Sequence, residues 1–318
     1  VRLFNQPGNK SLKPTRDLMN DFLRVLIDME CNGNYIDLEE LNKVEKELTE
    51  EYYQLKNKIG KIIQQVMGDT RINLSSTEDL SKVIYSRKVH DKDTWSNLFN
   101  IGIDKRTKKP KKRPMMTDKE FEHLVLKHTE PLYKTIAQQC GMCSGVGYIR
   151  KKNKDGRPSK MLNICPKCKK EGMLFIDTEA KAGFNHRARQ VYEVSQGGFK
   201  TDKDTLNKIS LVAEGLLKEF VDSIIRYSAV ETYLNTFVTG IRDNVRGDKI
   251  LHPSFNQHMT VTGRLSSSRP NFQNMPRGDK FPVKRVIKSR FDNGEILEVD
   301  FSQLEFRTAV FLAQDKQG

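Results

Sequence analysis

The chain has 318 residues, with 55 Lys+Arg against 41 Asp+Glu and a formal net charge of +14. That length suits one large domain or two to three smaller modules, and 36% hydrophobic residues supply a core beside the 30% that are charged. No run of about 18 apolar residues exists, which excludes a helical membrane span, and the opening VRLFNQPGNK has no signal-peptide apolar region, so export is not expected.

No repeat of 20–50 residues is visible. The first residue is not Met, and the start is expected to be missing. Residues 15–30 predict an amphipathic helix, because Leu18, Phe22, Val25, Leu26 and Met29 recur at helical spacing. Gly33 and Asn34 then signal a turn, and Asp37 an N-cap. A longer helix is expected over 38–67, with Leu41, Val44, Leu48, Tyr52, Leu55, Ile59, Ile62 and Val66 in one stripe. Its acidic first half and basic second half suit the helix dipole. The two helices read as an antiparallel hairpin whose stripe packs.

Ser75 with Glu78 predicts a capping box opening the next helix. KRTKKPKKR, residues 105–113, contains Pro110 and reads as a loop, either solvated or in contact with phosphate. Residues 117–137 read as helix, and further helices are expected at about 201–222 and 224–242. The last 70 residues turn to short strands and Asn/Ser/Pro-rich turns.

Charge is concentrated. Residues 101–175 hold 19 Lys+Arg and 7 Asp+Glu, a net of +12. A field of that sign suits a polyanion, of which nucleic acid is the commonest, although a solvated insert would carry it too. The same stretch contains Cys140-x2-Cys143-x21-Cys165-x2-Cys168. Two CxxC pairs at this separation predict one tetrahedral Zn2+ held by four thiolates, a closed and therefore structural site. Two redox dithiols or two disulfides are the alternatives. Gly145, Gly147 and Gly172 fall where tight turns bring backbone N–H groups near sulfur. Between the pairs lie Arg150, Lys151, Lys152, Lys154, Arg157 and Lys160, a basic hairpin that either touches DNA or is a solvated ribbon. Cys31 reads as a small core residue.

HPSFNQHMTVTGRLSSSRPNFQNMPR, residues 252–277, is rich in Arg, Asn, Gln and Ser and poor in apolar residues. It reads as a binding loop with donors for phosphates, sugars and minor-groove acceptors. Residues 295–299 are expected to form a strand that exposes Asp300 at its end, with Glu305 on the first turn of a following helix. A carboxylate beside a phosphate-binding loop calls for a hard cation such as Mg2+.

TGRLSSSRPNFQNMPR and VDFSQLEFR resemble two signatures of family A (Pol I-like) DNA polymerases, the TGRLSSSxPNxQNIP segment and the first palm motif, usually DYSQIELR. LIDMECNGNYID, NLSSTEDLSKVI and IIRYSAVETYLNTFVTGI resemble that family's thumb entry and its thumb-to-palm helix. The resemblance covers most of the chain outside about 95–195. It implies an α+β fold: a helical thumb with a zinc-ribbon-like insertion, leading into a partial polymerase palm sheet. The implied divisions are 1–94 for the thumb entry and 95–195 for the basic insertion, with its zinc module at about 138–175. Thumb-to-palm helices follow at 196–250 and a partial palm at 251–318.

The resemblance also implies roles. Asp300 would bind both Mg2+ ions of a two-metal phosphoryl transfer, with the Phe301 carbonyl on the second. Glu305 would block the sugar 2′ position, which argues against the alternative of a single-subunit RNA polymerase. Arg264 would reach the minor groove at the primer end, and Asn271, Gln273 and Asn274 would hold primer–template DNA. Arg307 would support the palm through ion pairing. Three positions depart from the family pattern: Phe301 for Tyr, Arg269 for Asp, and Thr232 for a DNA-contacting Lys. The insertion points to a phage polymerase acting in a bacterial host cytoplasm.

The fingers, with the Lys and Tyr that bind dNTPs, the second palm motif HDE and the exonuclease are not in the sequence. The expectation is a fragment that binds primer–template and is inactive alone. The alternatives are a non-enzymatic zinc-containing DNA-binding protein and one half of a split polymerase whose partner chain carries the rest.

Overall fold

The computed structural model describes residues 13–152, 158–260, 262–275 and 281–314. Lys154 and Arg157 of the basic hairpin, and Val261, Pro276 and Arg277 of the TGRLSSS segment, lie outside the described residues, as does the side chain of Lys152.

In chain order, α1 (Lys13–Asn32), β1 (Asn34–Ile36) and α2 (Leu38–Met67) come first. They are followed by α3 (Thr77–Tyr85), β2 (Arg87–Val89), α4 (Lys92–Leu98) and α5 (Asp118–His128). Five strands come next: β3 (Thr129–Pro131), β4 (Tyr133–Gln139), β5 (Tyr148–Lys152), β6 (Pro158–Ile164) and β7 (Met173–Lys181). Then come β8 (Val194–Ser195), β9 (Gly198–Phe199), α6 (Lys203–Val212), α7 (Gly215–Thr232), a π-helical turn at Tyr233–Val238, and α8 (Thr239–Asn244). The remainder is β10 (Ile250–Leu251), β11 (Ser254–Asn256), β12 (Ser266–Ser268), β13 (Ile287–Lys288) and α9 (Leu304–Ala313), with 3-10 turns at Phe272–Asn274 and Pro282–Val286. This mixture of helices and small antiparallel sheets is α+β.

The chain divides into two compact units, residues 51–230 and residues 1–50 with 231–318. In the 51–230 unit the core gathers Ile59, Val83, Ile84, Tyr85, Trp95, Phe99, Phe199, Phe220 and Ile224, each no more than 2% exposed. Tyr85 stacks on Phe199 at 4.4 Å between ring centres, and Trp95 meets Phe99 edge-on at 4.7 Å. Trp95 satisfies its indole by donating to the Ser195 carbonyl (2.9 Å). From this body β4 and β7 project as an antiparallel pair, with Ile136 opposite Ile176 and Gln139 opposite Met173. The β5–β6 ribbon and all four clustered cysteines lie between them in the sequence.

In the other unit β1 is the centre of a sheet in the order β10-β1-β13. Asp37 caps α2, its Oδ1 accepting from the Glu39 and Glu40 N–H groups, and its Oδ2 takes a hydrogen bond from Lys288 Nζ at 2.5 Å. Leu41, Val44 and Leu48 are buried, and Ile59, Ile62 and Val66 are buried in the 51–230 unit, so the stripe expected on α2 is a packing face throughout.

Several local expectations are corrected. β1 separates α1 from α2, so the link is a paired strand rather than a bare turn. On α1 only Leu26 is buried; Leu18, Val25 and Met29 are exposed, and Cys31 is exposed rather than a core residue. The cap of α3 is Ser76, which accepts from Asp79 N, because Ser75 is held in a turn by donating to Asn73 Oδ1. Helix α5 ends at His128: Pro131 has no N–H to continue it, and residues 133–139 pair with β7 instead. Its start is a true capping box, Thr117 with Glu120. The break in the later helices falls at 213–214, just before Gly215, a residue that marks a helix end. Residues 295–300 form no strand; Ile296, Leu297 and Val299 are exposed. A strand needs a hydrogen-bonded neighbour, and none pairs with them among the described residues.

Candidate metal centre and nucleic-acid interface

Cys140, Cys143, Cys165 and Cys168 are all buried, and their sulfurs lie within 4.8 Å of one another. Cys140 Sγ to Cys165 Sγ is 3.8 Å and Cys143 Sγ to Cys168 Sγ is 3.5 Å. A tetrahedron with ~2.3 Å metal–sulfur bonds separates its sulfurs by about 3.8 Å, whereas a disulfide needs ~2.05 Å. The cluster thus has the dimensions of a ZnS4 centre, and all four cysteines are free thiols.

Two equivalent knuckles build it. Gly147 N donates to Cys143 Sγ (3.2 Å) and Gly172 N to Cys168 Sγ (3.3 Å). Cys140 N donates to the Gly172 carbonyl (2.9 Å), and Cys165 N to the Gly147 carbonyl (3.0 Å). Both glycines have φ near +75°, Gly147 at 80° and Gly172 at 73°. A Cβ would stand 2.2 Å from the Lys170 carbonyl oxygen at Gly147 and 2.1 Å from that of Gly145 at Gly172. These positions therefore require glycine for conformation and for space.

Burial opposes ionisation of Cys140, but the backbone N–H groups of Cys143 and Met142 outweigh it and bring the thiol down to about 7. Burial pushes Cys168 up to about 11, with the neighbouring thiols adding to it. A metal ion displaces the protons of the thiols that ligate it.

The basic residues separate into two kinds. Lys105, Arg106, Lys108, Lys109, Lys111 and Lys112 are exposed. Arg113, from the same run, is not: its guanidinium donates to the carbonyls of Phe99 (2.9 Å) and Val194 (3.1 Å), so it clamps the core. Arg150, Lys151 and Lys160 are exposed on β5 and β6.

In the unit formed by 1–50 and 231–318, the TGRLSSS segment folds as the antiparallel pair β11–β12, with Phe255 opposite Ser267. Ser267 is buried; its hydroxyl accepts from Phe272 N (3.2 Å) and donates to the Pro270 carbonyl (3.3 Å). That bond sets the turn in which Asn271 accepts from Gln273 N (3.1 Å) and which presents Gln273 and Asn274 to solvent. Glu30 anchors the approach, accepting from Phe255 N at 2.5 Å, while its carbonyl meets His252 Nδ1 at 2.7 Å. Sequence reasoning missed Ser267 and Glu30 as positioning residues. Ser267 sat unnoticed inside a polar run, and Glu30 acts from 225 residues away.

Arg264 and Glu305 are brought together, Nη2 to Oε1 3.3 Å, both largely exposed. Glu305 lies on the first turn of α9, as expected. Asp300 and Phe301 are exposed, and Arg307 forms no ion pair among the described residues. The cysteines are the one group of three or more metal-ligating side chains found among the described residues. Asp300 has no such companions there, so the described residues do not complete a Mg2+ site and no catalytic step is assigned to one.

The sequence model for DNA polymerase family A matches residues 173–317, from β7 through α9. Residues 173–317 are thus similar to DNA polymerase family A. The matched segment holds Arg264, Asn271, Asp300 and Glu305. The DNA polymerase of Bacillus phage SP01 is 39% identical over 121 residues, which is 35% of this chain and 13% of that protein. DNA polymerase I of Bacillus caldotenax is 34% identical over 131 residues, 39% of this chain and 14% of that protein. The match thus spans only 13–14% of the length of these curated relatives. A solved structure, the POL domain of Pol1 from M. smegmatis in complex with DNA primer-template and dNTP, aligns with 92% of this chain and 33% of that chain. Its identity is 20% and its TM-score 0.46. No helix among the described residues is long and apolar enough to cross a membrane.

Proposed function

We propose that the chain is the thumb and first palm segment of a template-directed DNA polymerase, acting on primer–template DNA and dNTPs in a bacterial or phage-infected cytoplasm. The observation that carries this reading is the family A match over 173–317, which contains both the TGRLSSS loop and the Asp300 motif. The proposed parts are the thumb entry (1–94), the basic insertion (95–195), the thumb-to-palm helices (196–250) and the palm portion (251–318).

Arg264 donates to minor-groove acceptors common to all base pairs, which suits an enzyme that must grip any sequence. Asn271, Gln273 and Asn274, on the turn fixed by Ser267, hold the strands near the primer end. Glu305 stands where an incoming sugar's 2′-hydroxyl would lie, and Arg264 keeps it oriented. Asp300, with the Phe301 carbonyl, offers hard oxygen ligands to Mg2+, the ion that supplies phosphoryl-transfer chemistry when the remaining ligands are present. Cys140, Cys143, Cys165 and Cys168 hold a structural Zn2+ that locks the two knuckles together.

A second reading, a palm completed by a separate chain, is favoured by one observation. Leu297, Val299, Phe301, Phe311 and Leu312 are each more than 70% exposed, more apolar surface than a finished domain leaves bare.

Fluorescence anisotropy on primer–template and on blunt duplex tests the main reading. The chain should prefer the primer junction, and Arg264→Ala or Asn271→Ala should each weaken that preference about tenfold, the worth of one or two hydrogen bonds at ~1.4 kcal/mol. Equal affinity for both DNAs, unchanged by either substitution, would falsify it.

A further inference from the structure

We propose that the β5–β6 ribbon is a second DNA contact, a sequence-independent grip on duplex that lies outside the palm loop. The proposal rests on the nucleic-acid reading above but not on any palm residue. The register places Tyr148 opposite Ile164 and Arg150 opposite Leu162. Directly opposed residues share a face, and alternate residues along a strand return to it. Tyr148, Arg150, Leu162 and Ile164 therefore form one face, with Arg150, Leu162 and Ile164 exposed; the register shifts beyond Arg150, and the exposed Lys160 lies at that irregularity. Lys170 of the second knuckle joins them, its Nζ 5.8 Å from the Tyr148 ring centre. On the other face Ile149 packs against the cysteine cluster, which fixes which side looks outward.

Three features point to duplex DNA as the occupant. Residues 148–152 and 158–164 carry four Lys or Arg and no acidic residue, whereas the buried centre of a protein interface is depleted of charge. A two-stranded ribbon is of the size that the major groove admits. The ribbon is also stiff at its base, because the paired backbone bonds Cys140 N to Gly172 O and Cys165 N to Gly147 O clamp both knuckles. A rigid cationic element loses little conformational entropy when it docks on phosphates.

The test uses the zinc-loaded full chain and a blunt duplex of about 20 bp, with affinity followed between about 50 and 200 mM salt. Arg150→Ala/Lys160→Ala/Lys170→Ala should weaken binding at least tenfold. It should also reduce the slope of log K against log salt by about 3, one unit per lost phosphate contact. The charge-matched control Lys112→Ala/Lys119→Ala/Lys127→Ala, all exposed positions in the same unit, should change the slope by less than about 1. Arg150→Glu alone should act in the same direction as the triple variant. The ribbon variant should keep the parent's ratio of junction to blunt-duplex affinity, whereas Arg264→Ala lowers that ratio, so failure of the ribbon and failure of the palm loop are distinguishable. An unaltered slope in the triple variant overturns the proposal, as does an equal loss in the control. Retained duplex binding with loss of a protein partner would overturn it too.

Discussion

Gly172→Ala probes the proposed zinc centre without replacing a ligand side chain. Three effects add. An Ala at φ +73° costs about 1–2 kcal/mol in the left-handed region. Its Cβ would stand 2.1 Å from the Gly145 carbonyl oxygen, and relieving that contact moves backbone in a strained knuckle at about 1–3 kcal/mol. The shift also loosens the Gly172 N–H to Cys168 Sγ bond of 3.3 Å. A total of about 2–5 kcal/mol corresponds to roughly 30- to 4,000-fold weaker zinc binding. Competition against a chromophoric chelator measures this directly, and Co2+ substitution reports whether the tetrathiolate geometry survives. Gly141→Ala is the matched control, since a Cβ there meets nothing within 4 Å, and it should bind zinc as the parent does. Equal affinity for both variants would refute the reasoning, because the knuckle would then not depend on the close approach of residues 145 and 172.

Two further predictions concern the unit formed by residues 1–50 and 231–318. Ser267→Ala removes the acceptor of the half-buried Phe272 N–H and should cost about 1 kcal/mol in urea unfolding. It should lower primer–template affinity as well, through the disturbed turn at residues 271–274; an intact affinity with the full stability loss would detach Ser267 from the site. Asp37 is held below the usual carboxylate range first by the hydrogen bond from Lys288 and then by the backbone N–H of Glu40. Its folded pKa is the lower one, so its contribution is present above pH ~4 and is lost as the pH falls through the folded value. Asp37→Asn keeps an N-cap side chain and should flatten the acid limb of the stability profile below about pH 4. An acid limb identical to the parent's would rule out that linkage.

What the sequence determined by itself were features carried by neighbours along the chain. The α2 stripe from Leu41 to Val66 is a periodic pattern, and periodicity is local. The four cysteines carried their own spacing, and the glycines after each pair carried the turn. The TGRLSSS and VDFSQLEFR segments carried the resemblance to family A DNA polymerases because their residue order is itself the signal. Tertiary structure decided what depends on distant partners. Residues 129–131 became strand because β2 was available to pair with them and 133–137 because β7 was, and 295–300 stayed unpaired because nothing among the described residues was. Arg113 left the cationic run for the core because two carbonyls, at Phe99 and 81 residues away at Val194, converge on its guanidinium. Cys31 is exposed because nearly all of α1 is, a fact of packing and not of residue type. Arg264 and Glu305, 41 residues apart, meet only in the folded chain. A hydrogen bond or a burial is a property of two surfaces, and one-dimensional patterns specify only one of them.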